Sequence, residues 1–196
     1  MLITVDGLVT ARREFGDTSC YIDILTKEYG VIEVVAKGVK KLNSPNSAAC
    51  ALFAYATFCL NKKGLNYSLN SAKIKHSFHE LANDIKALAL AAYFAELIKF
   101  TATPEQSSED ILRLMLIGLY ELCRGGDLLT VKAVFEVRLA KELGFAPRED
   151  TTYLNLPLEK IFKVPVNDEF INSAEGYLLE QLDVTTFKTL EYFNKL

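Results

Sequence analysis

The apolar residues of this chain change period once, near Phe78, and that switch limits the fold more than any other feature. Before it they alternate or run together in short β-branched segments; after it they recur every three to four residues. A chain of 196 residues patterned this way is expected to be α+β. A strand-built unit over 1–79 should precede an all-α helical bundle over 80–196.

Five strands are expected in the first part. Residues 2–13 alternate, with a bulge or bend expected at Asp6-Gly7, and 14–19 read as a loop. Residues 20–26 form the second strand, and Lys27-Glu28-Tyr29-Gly30 turns the chain into the third. There Val31, Ile32, Val34 and Val35 are nearly continuous, which predicts apolar neighbours on both faces. Gly38 then reads as a hinge releasing a flexible loop with Lys37, Lys40 and Lys41. Residues 42–47 are irregular by composition. Runs over 49–61 and 65–78 predict the last two strands, joined by a turn at Lys62-Lys63-Gly64. Five strands with a long connection after the third suggest a small Greek-key barrel, an architecture that commonly binds nucleic acid on one face.

The second part predicts helices. Residues 80–100 carry Leu81, Ile85, Leu88, Ala92, Ala95, Leu97 and Ile98 on a helical period, ended by Thr103-Pro104. Ser107 or Ser108 is expected to cap a second helix, with Glu109 and Asp110 in its first turn and Gly125-Gly126 at its end. Asp127 is expected to cap a third over 128–143, stopped at Gly144 with Pro147 beyond. Residues 154–166, with Pro157 and Pro165, predict extended or irregular chain. Short helices are expected over 170–182 and 184–193.

Charge divides with the period. Residues 1–79 hold ten Lys and Arg against six Asp and Glu, +4; the remainder holds twelve against nineteen, −7, for a net −3. A basic first part followed by an acidic second suggests a polyanion-binding module joined to something with another job. No apolar run approaches the ~18 residues that span a bilayer. The N-terminus lacks the pattern of a signal peptide, so a cytoplasmic protein without a membrane role is expected. The scattered Cys20, Cys50, Cys59 and Cys123 fit reduced core thiols.

Catalytic motifs are lacking: there is no P-loop, GxGxxG or GxSxG. His76 and His79 could put two metal ligands on one helical face, but no third or fourth ligand follows. Cys123 lies in an apolar stripe, and Glu109-Asp110 and Asp168-Glu169 sit at helix starts, where capping accounts for them. The expectation is a protein that is not an enzyme and has no cofactor. The cations say more. Arg12, Arg13, Lys37, Lys40, Lys41, Lys62, Lys63, Lys73 and Lys75 recur at strand ends and turns of one barrel, interleaved with Tyr21, Tyr29, Tyr55, Phe58 and Tyr67. Single-stranded nucleic-acid binders combine a cationic groove with aromatic platforms. Those nine cations and Tyr67 are the candidate binding residues; most of the aromatics are expected in the core, and solvated hairpin tips would account for the same lysines.

Several segments together resemble the RecO family of bacterial DNA repair and recombination mediators. Leu8-Val9-Thr10-Ala11-Arg12-Arg13-Glu14-Phe15-Gly16-Asp17-Thr18 is similar to that family's first strand and loop. Ile24-Leu25-Thr26-Lys27-Glu28-Tyr29-Gly30, followed by Val34-Val35-Ala36-Lys37-Gly38-Val39-Lys40-Lys41, resembles its most characteristic segment. Val134-Phe135-Glu136-Val137-Arg138-Leu139-Ala140 with Leu143-Gly144-Phe145-Ala146-Pro147 resembles the last bundle helix and its exit. The resemblance covers 1–150 well and the tail poorly.

It implies an N-terminal OB-fold, binding of single- and double-stranded DNA, strand annealing, and recombinase loading together with RecR and the single-stranded-DNA-binding protein SSB. The acidic, phenylalanine-ended tail of SSB calls for an apolar pocket with a cation, for which Lys132, Arg138 and Lys141 are candidates. Many relatives carry a four-cysteine zinc site; here its positions fall near Thr152, Asn155, Leu179 and Leu182, none of them a cysteine. Residues 150–182 are therefore expected to be a degenerate, zinc-free insertion held by apolar packing. The chain is also short at its C-terminus for the family, and acidic. The alternative is an adaptor that contacts RecR or SSB with little DNA binding.

Overall fold

The computed structural model describes residues 1–103, 106–145, 156–164 and 166–196. The chain forms two units: Met1–His79 with Ala102–Leu112, and Glu80–Thr101 with Arg113–Leu196.

In the first unit β1 (Leu2–Phe15), β2 (Ser19–Thr26), β3 (Gly30–Ala36), β4 (Ala54–Lys63) and β5 (Asn66–Ser77) close into a barrel ordered β1-β2-β3-β5-β4. This is the five-stranded arrangement of an OB-fold. β1 serves two neighbours, pairing through Leu2–Leu8 with β4 and through Gly7–Phe15 with β2. β3 and β5 run parallel and meet at Val34↔Tyr67 and Val35↔Ser68. Val5, Val9, Ile22, Ile24, Val34, Phe58 and Leu60 fill the interior. Burial of each such side chain contributes about 1.5–3 kcal/mol.

Four expectations about this unit are corrected. β3 alternates, with Ile32, Val34 and Ala36 inward and Val31, Glu33 and Val35 outward, because only one of its faces meets the core. β1 passes Asp6-Gly7 in register, and its irregularity lies between Val9 and Ala11. Gly7 serves close approach instead: a methyl group there would sit 2.9 Å from the Leu25 carbonyl and run into the Ile24 side chain. Residues 49–53 are not strand. Ala48–Cys50 is a short 3₁₀ helix whose Ala49 and Cys50 pack into the barrel core, so its apolar character reflects burial without pairing. Finally, the loop after β3 is pinned. Val39 is buried, Lys40 N donates to Thr18 O at 3.0 Å, and Gly38 N donates to Ser19 Oγ at 3.3 Å.

The second unit holds α1 (Ile85–Thr101), most of α2 (Glu109–Cys123), α3 (Leu128–Glu142), α4 (Leu158–Ile161), α5 (Asp168–Leu182) and α6 (Lys188–Phe193). Small buried residues on α1, Ala87, Ala91 and Ala95, let other helices approach. Phe94 of α1 stacks on Phe135 of α3 at 3.7 Å between ring centroids, and Gly118 of α2 leaves room beside them. The Asp127 carboxylate caps α3, accepting from Thr130 N at 2.8 Å. The first turn of α2 belongs to the barrel unit: Ser107 Oγ and Ser108 N both donate to the Lys27 carbonyl, and Lys27 pairs with Glu109.

Residues 158–161 are helical where irregular chain was expected, since Pro157 occupies the position before the first helical residue and obstructs nothing there. The last helix begins at Lys188, four residues later than its period suggests. The stops at Pro104 and Pro147, the exit at Ala146, and Pro165 lie outside the described residues. Among the described residues, no helix is long and apolar enough to cross a membrane.

Candidate nucleic-acid interface

The pairing of β1, β2 and β3 sets three rows of side chains on the outer face of the barrel. Ala11 faces Asp23, which faces Glu33; Arg13 faces Tyr21, which faces Val35; Phe15 faces Ser19. The hydrogen bond from Gly38 N to Ser19 Oγ brings Lys37 to the end of the third row. The face is graded. One end holds the carboxylates of Asp23 and Glu33, and the hairpin end holds aromatic and cationic groups. Arg13 lies between, 3.3 Å from Asp23 Oδ1 and paired also with Glu33, its guanidinium 5.8 Å over the Tyr21 ring. Phe15 and Tyr21 rings meet at 4.7 Å, and Phe15 is 45% exposed.

The five cations expected around this hairpin are brought together but are not equivalent. Lys40 pairs with Glu14, whose carboxyl that lysine holds below its ordinary range. Arg12 is half-buried beside the Cys20 thiol. Lys37 and Lys41 are exposed and form no ion pair among the described residues.

The remaining candidates lie elsewhere on the barrel. Lys62 sits over the rings of Tyr29 at 4.7 Å and Tyr67 at 5.3 Å. Tyr67 is 5% exposed and belongs to the barrel core, so it offers no face to a base. Phe58 is fully buried. On the outer face of β4 and β5, Lys75 reaches Asp6 Oδ2 at 2.6 Å and lies over the Tyr55 ring, while Thr57 donates to Asp6 Oδ1 at 2.6 Å. Partial burial works to raise the Asp6 carboxyl pKa, but these hydrogen bonds hold it below its ordinary value. Lys73 faces Thr57 and Lys63 faces Asn66; both are exposed.

In the helical unit, Lys132 is 5% exposed. Its ammonium lies 3.0 Å from Glu136 and 2.5 Å from Glu175, so it is committed inside the fold. Glu136 is fully buried and also accepts from the Tyr93 hydroxyl at 2.7 Å. Burial pushes the Glu136 carboxyl up to about 6 against the pull of Lys132 and Tyr93. Arg138 pairs with Glu142 at 2.8 Å, and Lys141 is half-buried. Between α1 and α6 lies a groove of about 260 Å³, lined by Ile85, Leu88, Ala89, Ala92, Lys188, Thr189 and Tyr192. Lys188 there is exposed and forms no ion pair among the described residues.

His76 ends up on strand β5 against Phe78, and His79 begins a 3₁₀ turn, so the two do not share a helical face. Among the described residues, no cluster of three His, Cys, Asp or Glu is placed to hold a metal. Thr152 and Asn155 lie outside the described residues; Leu179 is buried on α5 and Leu182 ends that helix. Burial raises the thiol pKa of Cys50 to about 12, and all four cysteines are free.

Sequence reasoning passed over Phe15, placed in a loop although it continues the period of β1, and over Glu136, Glu175 and Lys188. The signal for Glu136 was available only as its position in an α3 stretch buried nearly all round.

Known proteins match both units. The profile described as "Recombination protein O N terminal" matches residues 1–78, and "Recombination protein O C terminal" matches residues 82–191. "DNA repair protein RecO" of Caldicellulosiruptor bescii is 33% identical over 144 residues, covering 74% of this chain and 59% of that protein. Proteins of the same name are 31% identical in Alkaliphilus metalliredigens, over 75% of this chain and 60% of theirs, and 28% identical in Bacillus subtilis, over 75% and 58%. The chain thus spans about 60% of the length of these curated relatives. With an OB-fold and a helical unit each matched along nearly its whole extent, the chain belongs to the recombination protein O family, whose members act in DNA repair.

Proposed function

We propose that this protein is a non-catalytic recombination mediator whose barrel binds single- and double-stranded DNA, promotes annealing, and helps load recombinase with RecR and SSB. The observation that carries this reading is the hairpin end of the β1–β2–β3 face, where Lys37 and Lys41, exposed and without ion pairs among the described residues, leave that face, with its exposed Phe15 ring, a cationic end. Phosphate contacts of this kind are independent of sequence and weaken steeply with salt. Lys62, Lys63, Lys73 and Lys75 extend the cationic surface. The SSB tail belongs to the same reading. An acidic peptide ending in an aromatic residue needs an apolar recess with a cation, and the α1–α6 groove with Lys188 has that chemistry, while Arg138 and Lys141 on α3 are further candidate cations.

The test is fluorescence anisotropy of a labelled single-stranded oligonucleotide at two salt concentrations. Binding should weaken with salt and fall further in Lys37→Ala/Lys41→Ala than in Lys40→Ala, because Lys40 is tied to Glu14. Absence of binding at low salt would remove the DNA role and leave an adaptor, to be tested with an SSB-tail peptide against Lys188→Glu.

A further inference from the structure

We infer that Phe15, buttressed by Tyr21, is a stacking platform for one unpaired nucleobase, with the adjoining phosphate held by Lys37. The inference rests on the DNA-binding reading above and names the place where a base, as distinct from the backbone, is engaged.

Three observations lead there. First, of the aromatics interleaved with the barrel cations, Phe58 and Tyr67 are buried, and Tyr29 and Tyr55 lie beneath Lys62 and Lys75. Phe15 is different. It is 45% exposed at the end of a strand, on the outer face, with Tyr21 diagonal to it across the β1–β2 pair. A half-exposed phenylalanine buttressed by a second ring presents a flat apolar surface whose orientation is already held. Second, the Tyr21 ring is braced by Arg13, which two carboxylates tie in place, so the platform does not need ordering when a ligand arrives. Third, the gradient of charge across the face gives the ligand a direction. Lys37, which has no ion pair among the described residues, lies on the Phe15 side, whereas on the far side the exposed Glu33 and the buried Asp23 are both paired with Arg13 and offer no cation to a phosphate.

These features fit a nucleobase better than a protein side chain. An apolar partner would not need the lysine, and an acidic peptide ending in an aromatic residue needs a recess, whereas Phe15 is an open ring at a strand end. The geometry also separates single strands from duplexes, since a paired base keeps both faces stacked and cannot reach the platform without leaving the helix.

The experiment uses the full chain, which contains no tryptophan. Phe15→Trp supplies a single emitter on the platform, titrated with a short oligothymidylate and with an abasic chain of equal length. Oligothymidylate should quench the emission and the abasic chain should not. In parallel, Phe15→Ala and Phe15→Leu should bind oligothymidylate roughly 5- to 160-fold more weakly, the range of one lost stacked base, while binding the abasic chain as the parent does. Phe15→Leu keeps the apolar bulk, so its loss isolates the ring. Equal quenching by both chains, or unchanged oligothymidylate affinity in both variants, overturns the platform while leaving phosphate binding intact. If the parent binds neither chain at low salt, the platform and the DNA reading fall together.

Discussion

The barrel and the helical unit treat charge in opposite ways. On the barrel, Lys40–Glu14 and Lys75–Asp6 lie at the surface in water. In the helical unit, Lys132 and Glu136 lie inside, joined by Glu175 and the Tyr93 hydroxyl. Surface pairs contribute roughly 0–1 kcal/mol and are screened, so such a cation can exchange its carboxylate for a phosphate at that small cost, which Lys37 and Lys41, with no ion pair among the described residues, do not meet. A buried pair cannot do this. Removing either partner strands a charge in a medium that solvates it poorly. The difference teaches where a phosphate can compete: at the barrel cations, and not at Lys132, although a sequence presents them all as lysines.

The comparison breaks most sharply at Lys132. Lys132→Ala leaves Glu136 buried with only the tyrosine hydroxyl and should cost about 3–5 kcal/mol, read as urea unfolding of the helical signal. The double variant Lys132→Met/Glu136→Leu removes both charges while keeping volume, and should recover most of that loss. A loss below about 1 kcal/mol in Lys132→Ala would mean the pair behaves like those on the barrel.

Next in size is the pH dependence of the same group. Glu136 binds its proton more tightly in the folded chain, at about 6, than in the unfolded chain, at the ordinary 4.5. Its contribution is therefore fully present below about 4.5 and is lost as pH rises through 6, on the order of 2 kcal/mol. Helical-unit stability measured from pH 4.5 to 7.5 should contain this falling component, and Glu136→Gln should remove it. An identical pH profile in the variant would assign the component to other groups.

What was legible before the structure follows the same division. The barrel could be read because its alternation, its glycine turns and its β-branched runs are local signals, each visible within a few residues. Ala49 and Cys50 misled because burial against a barrel core and pairing within a sheet both select apolar residues. Phe15 was hidden by Gly16-Asp17-Thr18, whose loop composition extends backward over the last strand residue. The helical period located α1 to α3, but it does not distinguish a solvated Lys132 from one enclosed by Glu136 and Glu175, since the second carboxylate arrives from forty-three residues away. Long-range pairing of charge leaves no periodic trace. The α1–α6 groove was unreadable for the same reason.

The smallest expected effect sharpens the comparison from the barrel side. Asp6→Asn keeps an acceptor for the Thr57 hydroxyl and removes only the charge that holds Lys75. Because Lys75 and Asp6 are both about 42% exposed, the stability change should stay within roughly 1 kcal/mol and shrink in salt. The released ammonium remains on the outer face of β5 near Tyr55. If DNA crosses that face, the logarithm of affinity against the logarithm of salt should steepen by about one unit, the contribution of one more neutralised phosphate. An unchanged slope with unchanged stability would confine the DNA path to the β1–β2–β3 face. A large stability loss would place the Asp6 pair with Lys132, among charges the fold cannot lend to a ligand.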